Sequence, residues 1–471
     1  MSYTLFIFFR DFRIQDNLGL IEAMNNNKNI IPCFIFVDEQ INPAMNKYFS
    51  HNSVQFLCES LQDLHNNFKK KDRELYIFKS PNIGAAISSI HKKYPLECIC
   101  FNEDYTPYAR KRTEYLSQLC NKKNINCETY EDYLLSNIGD FLKTDGTPYG
   151  VYTPFRNYVM RNINLISKPK NNSIKNIAQC DELKHNKYYL HYEDLHRLYI
   201  HNPVILVKGG RENAKKLLLK TKSMNYDNQR NLMIIPTSRL SAYIKYGNIS
   251  IREAFWKFHN DGQVGLADQI IWREFYFYVA YYYPEVLSKS KNYYDKYNNS
   301  KGKDKIKWVN KKSWLDAWKS GNTGFPIVDA CMKELNTTGY MHNRGRLISS
   351  NFLNRILGHD WRKGELYFAQ KLTDYDPCVN NGNWQWIAST GTDTKPYFQR
   401  LFNPWLQSEK NDPQAKYIKK WLPQLKDVPA NHLHHWDKYC HEYNIKDLNY
   451  MYPIVDYDKE RKRSVKQYTE F

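Results

Sequence analysis

Short apolar runs alternate with amphipathic stretches along the first 130 residues. Residues 5–9, 30–37, 75–78, 97–101 and 126–129 read as strands, and most are continuous hydrophobic runs. Between them, Val54, Leu57, Leu61, Leu64 and Phe68 recur at three- and four-residue steps, the spacing of a helix with one apolar face. Strands alternating with such helices predict an α/β doubly wound parallel sheet over residues 1–130. This stretch has neither the GxGxxG fingerprint nor the GxxxxGK[ST] phosphate loop, so a nicotinamide dehydrogenase and a P-loop ATPase are unsupported.

From residue 131 to about 200 the periodicity fades and polar runs enter, as in an interdomain connector with some helix. Residues 201–471 then read as an all-α domain of successive helices. All eleven tryptophans fall there, from Trp256 to Trp436. Such segregation fits a large aromatic core, and it also fits rings used for stacking or electron transfer.

Composition adds a partner class. Lysine and arginine outnumber aspartate and glutamate by 68 to 49, a net charge of +19 that favours a polyanion, nucleic acid before an anionic membrane. The ten cysteines lack the spacing of a disulfide framework or a zinc ribbon, and His432, His434, His435, His441 and Cys440 match no standard ligand spacing, so no metal is expected. The basic run 459–463 reads as a solvated helix face. The amino terminus has no signal-peptide pattern and no stretch reaches about 20 uninterrupted apolar residues. A soluble intracellular monomer is expected, in whichever compartment holds its partner.

Thr237-Ser238-Arg239-Leu240-Ser241 places three hydroxyls and free backbone amides before a helical stretch, an arrangement suited to an anion. By itself it is an ordinary helix cap. With Tyr226-Asp227-Asn228-Gln229-Arg230 before it, the chain resembles the DNA photolyase/cryptochrome family. Asp11-Phe12-Arg13-Ile14-Gln15-Asp16-Asn17, Tyr152-Thr153-Pro154-Phe155 and Trp272-Arg273-Glu274-Phe275-Tyr276 extend the likeness along the chain. Gly339 to Arg344, Asp374 to Trp386 and Ala388 to Asp393 look most like the class I branch, which repairs cyclobutane pyrimidine dimers.

The resemblance implies FAD folded into a compact U, its diphosphate held by Thr237, Ser238, Leu240 and Ser241, with Tyr226, Arg239 and Arg273 in the same pocket. Asp374 and Asp376 would face the isoalloxazine and ribose, with Arg346 pairing Asp374. Asn380 matches the residue facing the flavin's central ring nitrogen. Trp384, Trp361 and Trp308 match the family's electron-transfer chain. Trp272 and Trp386 match the residues that pack on the flipped-out pyrimidine pair. Gln269 and Asn343 complete the implied catalytic positions, and Arg230, Arg344 and Gln407 the implied contacts to ultraviolet-damaged DNA.

Three departures matter. Class I enzymes carry glutamate at the position of Gln269; a glutamine amide is always neutral and always a donor, so it can replace a protonated carboxyl. Glutamine there is also the (6-4) photolyase residue, yet the positions where those enzymes need histidine hold Asn343 and Leu347, neither a general acid. Nearby His342 reads as structural. In the sheet, Phe9 replaces an arginine and Phe12 a leucine of an Arg-x-Asp-Leu-Arg motif, while Asp104 suits a deazaflavin or other flavin as second antenna chromophore better than a folate. A cryptochrome photoreceptor would use the same flavin and tryptophans without repair, but the family likeness runs to about Tyr468 and leaves no long signalling tail.

Overall fold

Five strands form one parallel sheet: β1 Tyr3–Ile7, β2 Ile30–Val37, β3 Tyr76–Ser80, β4 Leu96–Asn102 and β5 Asn126–Tyr130, in the order β3-β2-β1-β4-β5. Leu5 lies opposite Ile31 of β2 and Ile99 of β4. The structure is a computed structural model describing residues 2–301, 304–392 and 400–470. β1 ends two residues earlier than its apolar run predicts. The Phe8 amide still donates to Cys33, but the Phe9 amide turns to the Asp11 carboxylate at 2.8 Å and leads the chain out of the sheet.

Alternation along the strands sorts their side chains onto two faces. Leu5, Ile7, Ile31, Cys33 and Ile35 pack with the helices Ile83–Lys93 and Pro107–Lys123. Phe6, Phe8, Phe34 and Phe36 face the helix His51–Lys69 and belong to one apolar cluster that continues through Tyr243, Phe255 and Phe277. The core beneath this face is therefore completed by helices from the second half of the chain.

A buried ion network ties the same two parts. Arg252, second residue of a helix begun by the Ser250–Glu253 capping box, reaches Asp132 at 2.7 Å and Asp16 at 3.2 Å, and Arg13 also pairs with Asp132. All four side chains are at most 2% exposed. Burial alone would raise the Asp132 carboxyl, but Arg13 and Arg252 outweigh it and hold it below the usual carboxylate range.

The connector is not a free linker. It contains the helix Tyr152–Arg161, and Ile177 and Tyr189 add isolated bridges to Ile30 and Phe78 at the sheet. Beyond it, helices from Arg211–Lys220 to Tyr457–Thr469 surround a second cluster containing Trp318, Trp361, Trp384, Trp405 and Trp436, so much of the tryptophan content is core. Among the described residues no helix is long and apolar enough to cross a membrane. None of the ten cysteines is in a disulfide, and the one grouping of possible metal ligands among the described residues is Cys98, Cys100 and Glu128, on neighbouring strands.

Candidate active site

The helices Val264–Tyr282, Asn343–Asn351 and Pro377–Ala388 enclose a cavity of about 560 Å³. Two glycines permit the packing. A Cβ at Gly382 would come within 2.1 Å of the Tyr276 ring, and one at Gly364 within 2.1 Å of the Trp384 ring, so both helices must present bare backbone to an aromatic face. Gly364 follows Trp361 by one turn on the helix Trp361–Lys371, which brings Trp361 to the same side as Trp384.

The polar wall holds Tyr226, Thr237, Ser238, Arg239, Leu240, Ser241, Arg273, Arg346, Asp374, Asp376 and Asn380, every position that the flavin resemblance singles out. Arg239 has φ +55°, a left-handed conformation that costs about 1–3 kcal/mol in a residue other than glycine and turns the chain along the wall. Asp374 Oδ2 accepts from Ser241 Oγ at 2.6 Å and from Arg346 Nη2 at 2.8 Å. Burial raises its pKa less than Arg346 and Ser241 lower it, so the carboxylate stays ionised. Its second oxygen, Oδ1, is buried and has no partner among the described residues. Such an acceptor in a cavity wall calls for a donor from a ligand. Asp376 caps the helix Pro377–Ala388 and pairs with Arg10 at 3.0 Å.

The aromatic wall holds Trp272, Trp384 and Trp386. Trp272 has Tyr152 stacked 3.5 Å behind it, and Arg400 lies 4.6 Å from the Trp386 ring. Gln269, Arg230, Asn343, Arg344 and Leu347 complete the mouth and floor. Among the described residues Gln269 Nε2 reaches only its own helix, at 3.5 Å from the Gly265 carbonyl. His342 is buried, and its Nδ1 accepts the Arg344 amide at 3.1 Å; burial and the arginines at 344, 346 and 239 push its pKa down to about 4, so it caps the helix as a neutral ring. Three singled-out residues lie outside this wall. Gln407 accepts from Asn411 one turn along its own helix at 3.1 Å, Trp361 is buried in the same apolar cluster as Trp384, and Trp308 is half-buried beside Asp304. Asp393 of the Ala388 to Asp393 motif lies outside the described residues.

The family described as the FAD binding domain of DNA photolyase matches residues 266–470, and the one described as DNA photolyase matches residues 4–173. A deoxyribodipyrimidine photo-lyase of Alkalihalophilus pseudofirmus is 33% identical over 97% of this chain and 96% of its own. That of Escherichia coli is 30% identical over 99% and 98%. A crystal structure of an archaeal photolyase from Sulfolobus tokodaii with two FAD molecules shares 35% identity over the whole of both chains, with a TM-score of 0.86. The chain belongs to the DNA photolyase family. It is a light-driven lyase that works with FAD and repairs DNA. The unpartnered Asp374 oxygen, the Ser241 and Arg346 partners around it and the aromatic wall fit that cofactor.

Two residues at this photolyase's site escape sequence reasoning. Glu365 Oε1 accepts from Asn380 Nδ2 at 3.0 Å, fixing which way the amide points. Burial pushes its pKa up to about 7 against the pull of Asn380 and Tyr375. A raised carboxyl favours folding below its unfolded pKa near 4.5, and that contribution is lost as pH rises through about 7. Glu365→Gln should therefore remove on the order of 3 kcal/mol of stability loss between pH 5 and pH 8. Urea unfolding of both proteins at the two pH values checks this; parallel curves would refute it. Arg10, the other residue, joins Asp376 to Asp104 at 2.7 Å and so links this cavity to a second one.

The second cavity, about 650 Å³, opens beyond the carboxyl ends of β1 and β4. These neighbours are where the strand order reverses, the place at which open α/β sheets bind ligands. Its wall includes Phe9, Arg10, Asp104, Arg112 and Trp361. The Arg112 guanidinium lies 3.4 Å from the Phe9 ring centroid, so this wall carries a cation although position 9 is aromatic.

Proposed function

We propose that this photolyase splits cyclobutane pyrimidine dimers, with the flipped-out pair entering the first cavity between Trp272 and Trp386. The carrying observation is the cavity wall itself: among the described residues no histidine lines it, and Asn343 and Leu347 stand beside Gln269. A (6-4) lesion needs a proton donor there, whereas dimer opening by electron transfer does not. When bound and reduced, FAD supplies the light-excited electron for ring opening. Gln269 offers a neutral amide donor to a pyrimidine carbonyl, Trp272 is held flat by Tyr152, and Arg230 and Arg344 contribute positive charge at the mouth. Asn380, oriented by Glu365, presents its amide to the flavin's central ring. Trp384, Trp361 and Trp308 form the path by which an electron reaches the cavity from the surface.

Irradiating the reduced protein with each lesion in turn tests the assignment. Dimer repair without (6-4) repair is expected, and Gln269→Glu should keep that pattern. Robust (6-4) repair with intact dimers would overturn it. Trp384→Phe should slow photoreduction of the oxidised protein by about tenfold or more while sparing repair by chemically reduced protein. Equal photoreduction rates would remove Trp384 from the path.

The second cavity supports a second, phosphate-bearing flavin-type chromophore. Arg112 Nε and Nη2 are buried without hydrogen-bond partners among the described residues, and burial lowers its pKa to about 10 despite Asp104, the state of a cation short of counter-charge. Arg112→Leu should release that chromophore, read from absorbance of the extracted cofactors, while FAD in the first cavity is retained.

A further inference from the structure

The two outer tryptophans of the proposed path sit in opposite electrostatic surroundings. Trp361 is buried; its Nε1 donates to the neutral side-chain oxygen of Asn292 at 3.1 Å, and the Arg362 guanidinium lies 4.6 Å from its ring. Trp308 is half-buried, and its Nε1 donates to a carboxylate oxygen of Asp304 at 2.9 Å. One guanidinium joins the two settings. Arg362 Nη1 reaches the same Asp304 oxygen at 2.8 Å and Nη2 reaches Asn292 at 3.2 Å, while Asp360 also accepts from Nη1 at 2.9 Å. The Arg362–Asp304 pair is only 23% and 16% exposed, so water screens it incompletely.

A positive charge on an indole is stabilised by a carboxylate at its N–H and opposed by a guanidinium beside its ring. We propose that Asp304 is the residue that makes Trp308 the terminus of the path, holding positive charge there while Arg362 disfavours it on Trp361. The inference rests on the tryptophan path stated above. In the step concerned, one electron passes from Trp308 to oxidised Trp361. Trp361 returns to its neutral form and Trp308 carries the charge, with its Nε1 proton kept in the hydrogen bond to Asp304. No other bond forms or breaks. The bias makes outward movement of the charge one-way and slows its return.

Asp304 also has a local structural task, since its other oxygen accepts the Ile306 amide at 2.9 Å. Asp304→Asn separates the two roles: it keeps acceptor oxygen and size but removes the charge. After a flash on the oxidised FAD-loaded protein, the absorbance of oxidised tryptophan should decay faster in Asp304→Asn than in wild type, by about tenfold or more. Asp304→Glu should restore the slow decay, and Asp304→Ser should behave like Asp304→Asn, with FAD content and melting temperature as controls on folding. Unchanged decay in both uncharged variants overturns the proposal, as does failure of Asp304→Glu to rescue. Trp308→Phe tells that result from failure of the path. If it abolishes the slow phase, the path stands without an Asp304 role; if the slow phase survives, Trp308 is not its terminus.

Discussion

Asp374→Ala should strip this photolyase of FAD, weakening affinity by about 100- to 4,000-fold, the equivalent of the 3–5 kcal/mol that breaking a buried charge pair costs. The substitution removes the acceptor for Ser241 Oγ and Arg346 Nη2 and a buried wall oxygen that has no protein partner among the described residues. The Arg346 guanidinium, three-quarters buried, would then face the cofactor site uncompensated. Asp374→Asn should fall between, keeping an acceptor but losing the charge. Titration of the apoprotein with FAD, followed by flavin fluorescence, measures the loss. Wild-type affinity in Asp374→Ala would remove this residue from the cofactor site.

Arg252→Leu is the second large effect, and it concerns stability. Two carboxylates, Asp16 and Asp132, lose a guanidinium in an environment with almost no water, and Arg13 is left to neutralise Asp132 alone. A loss of about 3–5 kcal/mol is expected at neutral pH, read from the midpoint of urea unfolding. Because Arg13 and Arg252 hold Asp132 below the usual carboxylate range, wild type loses this contribution as pH falls through that lowered value. The gap between the proteins should narrow in acid. A gap that persists unchanged at low pH would mean that packing of the arginine stem, and not its charge, carries the effect.

The strands were legible because runs of four to eight residues, most of them apolar, leave few alternatives; the largest shifts are of two residues, among them the end of β3, which runs on to Ser80, and the end of β1, where Asp11 captures an amide that the hydrophobic pattern assigns to the sheet. The cavity was legible as a set of motifs. Residues from positions 226, 269, 340 and 374 onward converge on one wall because each motif retains its local shape. Glu365 and Arg10 were not legible. Each acts through a partner on another segment, Arg10 across 366 residues to Asp376, and neither spacing nor composition reports such a contact. Tyr152 is an intermediate case: its motif was recognised, but its stacking behind Trp272 appears only when the helix Tyr152–Arg161 meets Val264–Tyr282.

The aromatic face of the sheet has a consequence for the order in which the protein can be made. Phe6, Phe8, Phe34 and Phe36 leave the ribosome early, whereas Tyr243, Phe255 and Phe277, which share their cluster, follow more than 200 residues later. At rates of 5–20 residues per second the sheet face, with the helix His51–Lys69 already beside it, waits roughly 10–50 s for the rest of its cover. A nascent chain halted near residue 150 should therefore be sticky, protease-sensitive and dependent on a holding chaperone. One halted beyond residue 320, with Tyr243, Phe255 and Phe277 clear of the exit tunnel, should shed that dependence.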